Sequence, residues 1–284
     1  MRRFSMYKHI QLEDGKLAYQ EFQETGDIPI LFLHGFTGTS SNWNEVLPLL
    51  PTNCHAVMVD IRGHGFTTDS SSCYTMDTIL QDIELLRKKL KWNQFHLIGY
   101  SMGARISLAY ALTFPERVRS IVLESGSPGL EKLEERLTRQ QADSTLADKI
   151  ETEGILSFVN FWEDIPLFHS QKRLSDEKKK AIREERLSQT ARGLANSLRN
   201  IGTGSQFSFW DRLDEMQMRC LLVVGELDEK FVQIAQMMQN RNEKFQLVSV
   251  EDVGHAIHVE NAEKFATIIM EFILQSEEEL TNDA

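Results

Sequence analysis

Gly99-Tyr100-Ser101-Met102-Gly103 sets a serine between two glycines. Before it runs a short apolar strand through Phe95, Leu97 and Ile98, and after it Ile106, Leu108, Ala109, Leu112 and Phe114 restore helical spacing. A strand that reverses sharply into a helix pushes its central residue toward strained backbone angles, and flanking glycines remove the side chains that would collide there. The serine oxygen would then stand above a sheet near a helix N-terminus, where developing negative charge is favoured. A hydroxyl is a poor nucleophile or base until an imidazole takes its proton, and the imidazole needs a carboxylate to fix its tautomer and stabilise its cation. His255 and Asp228 can supply those groups, each from a loop after a late strand. The five residues around Ser101 would also suit a plain helix N-cap, so the rest of the chain must decide.

Of the eight histidines only His255 fits that role, because His34 and His64 sit on loops before the serine and His258 falls inside the following helix. For the carboxylate, Glu124 at the end of an earlier strand competes with Asp228. Asp228 is preferred, since the loop after the later strand is the usual place for the acid when the order is serine, acid, histidine. A second glycine-rich loop, His34-Gly35-Phe36-Thr37-Gly38, follows a buried strand. Its Phe36 N–H, with that of Met102, would form an oxyanion hole; a glycine turn needed only for tight geometry is the alternative.

These groups are carried by alternating strands and helices. Residues 7–20 are expected to form two strands around an Asp14-Gly15 turn, followed by strands at Pro29–Leu33 and His55–Val59 with a short helix, Trp43–Leu50, between them. Thr75 caps an amphipathic helix to Leu90, and Val118–Leu123 is the next strand after the serine turn and its helix. From 127 to 207 the alternation stops and the sequence turns helical and charged, which reads as a cap inserted over the site. Strands at Cys220–Val224 and Phe245–Val250, a helix near 230–240 and a last helix from His258 to Leu274 complete the pattern. The fold expected is the α/β-hydrolase fold: a mostly parallel central sheet flanked by helices, built from residues 1–126 and 208–275, with the helical cap between them. Residues 276–284 read as an acidic, disordered tail.

Composition narrows the function. The chain has 284 residues, is 41% hydrophobic and 26% charged, and carries a net charge of −11, which disfavours nucleic acid and anionic membrane as partners. No apolar run is long enough to span a bilayer, and Arg2 and Arg3 precede no secretory apolar segment. Cys54, Cys73 and Cys220 form no C-x-x-C pair, which argues against disulfides or zinc and for a reducing cytoplasm. Asp60-Ile61-Arg62-Gly63-His64-Gly65 offers too few ligands for a metal and reads as a structural turn.

More discriminating strings lie in and around the cap. They are Glu135-Arg136 with Arg139, Phe161-Trp162 through Ile165-Pro166-Leu167-Phe168, Leu194-Ala195-Asn196-Ser197-Leu198, Gly202-Thr203-Gly204-Ser205-Gln206, and Gly225-Glu226 with Asp228-Glu229-Lys230-Phe231. Together with the two glycine loops and Arg105, they make the chain resemble the MenH family, the 2-succinyl-6-hydroxy-2,4-cyclohexadiene-1-carboxylate synthases, especially its Bacillus-type members. The resemblance implies a menaquinone-pathway lyase that expels pyruvate from a cyclohexene polycarboxylate, without metal or organic cofactor. It also implies that Arg105, Arg139 and Arg186 meet substrate carboxylates and that Tyr100, Trp162 and Phe168 wall the pocket. Arg105 stands on its own evidence too, one helical turn beyond Ser101 on a helix that is normally buried. Ala104 departs from the family, which carries a second glycine there; a methyl is tolerated if the backbone is helical. The expected partner is a small polycarboxylate and the expected state a monomer. A carboxylic-ester or carbon–carbon hydrolase working through an acyl-serine, and a non-catalytic binding protein of the same fold, are the competing readings of the triad.

Overall fold

The computed structural model describes residues 6–69 and 74–282. The readings made of Arg2, Arg3 and Cys73 lie outside those residues.

A hairpin, β1 (Lys8–Gln11) and β2 (Gly15–Phe22), opens the chain, and β3 (Ile28–Leu33) and β4 (Cys54–Val59) follow. A two-residue strand, β5 (Thr68–Asp69), pairs with β2 and has no counterpart in the sequence reading. Then come α1 (Met76–Leu90), β6 (Phe95–Tyr100), α2 (Met102–Thr113) and β7 (Val118–Glu124). The chain next turns helical through α3 (Leu133–Trp162), α4 (Asp176–Leu187) and α5 (Ala191–Ile201). It returns to the sheet with β8 (Arg219–Gly225), α6 (Glu229–Gln239), β9 (Phe245–Val250), α7 (Ile257–Glu260) and α8 (Ala262–Asn282).

The strands run in the order β1-β2-β4-β3-β6-β7-β8-β9, and every pairing from β4 onward is parallel. Strands β3, β4 and β6 are buried on both faces, which is why they read as unbroken apolar runs. Alternate residues serve opposite layers. Leu31, Leu33, Val57 and Val59 pack with Ile79 and Ile83 of α1, whereas Ile30, Phe32, Ala56 and Met58 pack with Phe265 and Ile269 of α8. Full burial of side chains such as these contributes about 1.5–3 kcal/mol each. Between β7 and β8, Ala147, Ile150, Phe158 and Val159 of α3 close a smaller core with Leu194, Ala195 and Leu198 of α5.

Three local expectations change. The helix expected at Trp43–Leu50 is two 3-10 turns, Ser40–Trp43 and Leu47–Leu49, because Pro48 cannot donate the hydrogen bond that would propagate an α-helix. The last helix is broken at Asn261, whose Oδ1 accepts the Lys264 N–H and caps α8. The tail is not disordered over its described part: α8 runs on to Asn282, with Ser276 buried and Glu277 accepting from Arg119 at 2.9 Å and bonded to His96 at 3.0 Å. Residues 283 and 284 lie outside the described residues.

Candidate active site

Ser101 lies between β6 and α2 with φ +50° and ψ −103°. That strained turn exists because its neighbours lack side chains: a Cβ at Gly99 would fall 2.4 Å from the Gly103 carbonyl, and one at Gly103 2.0 Å from that of Leu33. Ala104, the departure from the resembled family, keeps a helical backbone, and its methyl faces Gly126.

The serine hydroxyl donates to His255 Nε2 at 3.0 Å, and His255 Nδ1–H donates to Asp228 Oδ2 at 2.5 Å. Both partners are buried, His255 at 1% exposure and Asp228 at 8%. Since Nδ1 faces a carboxylate, Nε2 is left free to accept the serine proton. Glu124, the rival acid, is occupied elsewhere: its carboxylate accepts the His258 backbone N–H at 3.0 Å and pairs with His258 Nδ1 at 2.8 Å.

Met102 opens α2 and is among the N–H groups that a helix start leaves without an intrahelical partner. Phe36 sits opposite, in the loop after β3, and both line the cavity that holds Ser101. His34 braces that loop by donating from Nδ1 to Gly35 O at 2.8 Å and accepting the Ile61 N–H on Nε2 at 3.0 Å. Burial lowers its pKa to about 4, and burial with His34 as neighbour lowers that of His64 to about 3, so both rings are neutral near pH 7. The Asp60–Gly65 string is a turn: Asp60 accepts the N–H groups of Ser40 at 2.7 Å and Phe66 at 2.8 Å.

The cavity has a volume of about 370 Å³ and is lined by Ser101, His255, Met102, Phe36, Trp162, Arg105 and Arg139 among others. Arg105 is 8% exposed, and among the described residues its guanidinium donates only to neutral acceptors, Ile201 O at 3.0 Å and Gln206 Oε1 at 2.8 Å. Burial, reinforced by Arg139, lowers its pKa to about 10; an anion placed beside it would relieve that cost. Arg139 is half-exposed and held through Nε by Asp143 at 2.7 Å.

The remaining expected residues fall elsewhere. Arg186 is not brought to this cavity. With Phe168 it lines a second one of about 350 Å³, where its guanidinium lies 4.6 Å from the Phe168 ring centroid and 3.3 Å from Gln171 Oε1. Phe168 stands between the two spaces, its ring 6.0 Å from Trp162 and 6.4 Å from His255. Tyr100 packs behind the site, 5.4 Å from the His255 ring, rather than facing the cavity. Two residues without an expected role do face it: Phe231, whose ring is 4.6 Å from His255, and Lys230. Both occupy the first turn of α6, directly after Asp228, a position that could have suggested them.

Among the described residues no group of three or more His, Cys, Asp or Glu side chains could hold a metal ion, and no helix is long and apolar enough to cross a membrane.

A family model described as the alpha/beta hydrolase fold matches residues 28–262. A Bacillus subtilis (strain 168) protein provisionally named 2-succinyl-6-hydroxy-2,4-cyclohexadiene-1-carboxylate synthase is 41% identical over 268 residues, 93% of this chain and 97% of that protein. A Photorhabdus laumondii protein bearing that name outright is 27% identical, with 90% of each chain covered. Among solved structures, MenH from S. aureus is similar with a TM-score of 0.87 and 33% identity, covering 94% of this chain and all of that one. A thermophilic esterase from Thermogutta terrifontis has a TM-score of 0.81 at 23% identity, a likeness of fold alone.

Proposed function

The chain belongs to the 2-succinyl-6-hydroxy-2,4-cyclohexadiene-1-carboxylate synthases, a lyase family on the α/β-hydrolase fold, and from that premise we propose how its residues carry out the reaction. The substrate is 2-succinyl-5-enolpyruvyl-6-hydroxy-3-cyclohexene-1-carboxylate, and the enzyme eliminates pyruvate in menaquinone biosynthesis. Substrate and product names fix the bond changes: the ring loses hydrogen at C2 and the enolpyruvyl oxygen at C5, and the 3-ene becomes a 2,4-diene.

In this reading Ser101 Oγ takes the C2 proton while its own proton passes to His255 Nε2. Asp228 holds the imidazole in the accepting tautomer and stabilises the cation. The electron pair from the C–H bond spreads onto the succinyl carbonyl, whose oxygen meets the N–H groups of Phe36 and Met102. It then forms the C2=C3 bond, the ring double bond moves to C4=C5, and the C5–O bond breaks. The departing enolate takes the proton from His255 and becomes pyruvate. Atoms balance without water, and no acyl-serine is formed. Arg105 and Arg139 bind carboxylates, Trp162 walls the pocket, and Tyr100 and Phe168 support His255 from behind.

One observation carries this assignment: a closed hydrogen-bond chain from Asp228 through His255 to Ser101 opens onto a cavity whose buried cation, Arg105, has no carboxylate partner among the described residues. We place the enzyme in the cytoplasm as a monomer; the free, buried thiols of Cys54 and Cys220 suit a reducing compartment. The test is pyruvate release from freshly made substrate. Fast release by the wild type, abolished in Ser101→Ala and strongly reduced in Arg105→Ala, supports the reading. A burst of product with a trapped acyl-serine overturns the mechanism in favour of a hydrolase.

A further inference from the structure

We propose that Lys230 holds one of the three carboxylates of the substrate, the role that the family resemblance gives to Arg186. This rests on the lyase reading above. The names count the charges: the product keeps a succinyl carboxylate and a ring carboxylate, and the departing pyruvate takes the third. The cavity around Ser101 is lined by three cations, Arg105, Arg139 and Lys230, whereas Arg186 lies beyond Phe168 in the neighbouring space.

Helix α6 turns one face to the cavity, through Lys230, Phe231, Ile234 and Met237. Their spacing of one, four and seven residues is that of a helical stripe, and Lys230 is its one charged member. A lysine is poorly placed there for stability. It stands in the first turn of α6, where the helix dipole disfavours a cation, and among the described residues it forms no ion pair; its ammonium lies 5.6 Å from the Phe231 ring centroid. Glu131 and Glu135 also line the cavity, and Glu135 is drawn toward Lys132 at 3.5 Å. A carboxylate at Lys230 would supply the missing counter-charge and meet the positive end of α6 at the same point. The next residue, Phe231, packs on His255, so the anchor stands beside the histidine of the triad.

The experiment compares steady-state pyruvate release by wild type, Lys230→Met, Lys230→Arg and Arg186→Met. The expected result is a KM raised about tenfold in Lys230→Met with kcat within about twofold, and recovery of most of the loss in Lys230→Arg. Lys230 is exposed, so the variant keeps its fold, checked by an unchanged circular-dichroism melt. Inhibition constants for pyruvate and for the diene product then identify the carboxylate held. Weaker inhibition by pyruvate assigns Lys230 to the leaving group, and weaker inhibition by the product assigns it to a ring substituent. A wild-type KM in Lys230→Met, or a tenfold rise in Arg186→Met in its place, overturns the proposal while leaving the lyase reading intact. A wild-type protein that releases no pyruvate overturns the lyase reading, and the role of Lys230 with it.

Discussion

The hydroxyl of Ser125 donates to the carbonyl oxygen of His255 at 2.8 Å, so the histidine is held by its backbone as well as by its ring. Ser125 and Glu124 together reach every strand end that carries the triad. The Ser101 N–H donates to Glu124 O at 2.9 Å, and the Ser125 N–H donates to Val223 O in β8 at 2.9 Å. Ser125→Ala removes one hydrogen bond worth about 0.5–1.5 kcal/mol. If that energy goes into holding His255 against Ser101, kcat falls about three- to tenfold while KM stays. Steady-state kinetics decide it, and an unchanged kcat would show that His255 is fixed without this bond.

Ser101→Ala is expected to lower kcat at least about a thousandfold, because a triad member acts only with its partners. Equilibrium binding of the product should stay close to wild type, since Arg105 and Arg139 are untouched. Near-normal turnover would remove Ser101 from the proton transfer.

The two candidate acids separate by substitution. Asp228→Asn leaves the geometry but offers the imidazole the wrong partner, and a loss on the order of 10⁴ in kcat is expected. Glu124→Gln keeps an acceptor for the His258 N–H groups and should retain most activity. Glu124→Ala leaves those groups unpaired in a fully buried site and should cost about 3–5 kcal/mol in urea unfolding. Loss of activity in Glu124→Gln equal to that in Asp228→Asn would reverse the assignment.

His34 and His64 make stability depend on acid. Unfolded, each takes up a proton near pH 6.5; folded, burial delays uptake to about pH 4 and about pH 3. Between these values the unfolded chain binds more protons, so stability rises with pH. It is fully present above about pH 6.5 and falls as the pH drops toward 4, by up to about 1.4 kcal/mol per pH unit for each histidine. Thermal midpoints from pH 7.5 to 4.5 should follow this slope, and His34→Gln should flatten it. A flat profile in the wild type would mean that neither ring stays neutral.

That Ser101, His255 and Asp228 meet was legible because a triad demands particular residue types at strand ends, and local spacing marks strand ends well. Ser101 and Asp228 each sit just past a buried apolar run, and His255 follows the half-buried β9. The place of Arg105 in the same cavity was legible for a similar reason, four residues along a buried helix. Arg186 was not, because which side of Phe168 it occupies depends on how α4 and the Pro166–Arg173 turn pack, and neither leaves a periodic trace. The acidic tail misled through composition: Glu277 is 181 positions from His96, and no local pattern announces a partner so distant.

That tail sets terms for anyone joining another protein to this one. Glu277 ties α8 to His96 of β6 and Arg119 of β7, and Arg219 of β8 reaches Glu279 at 3.0 Å. Acids that look like a solvent-washed spacer therefore stitch the final helix across three central strands. A fusion junction cut at residue 275 would unpick that seam and leave a buried histidine facing water, whereas one placed after Asn282 would keep these stitches whole.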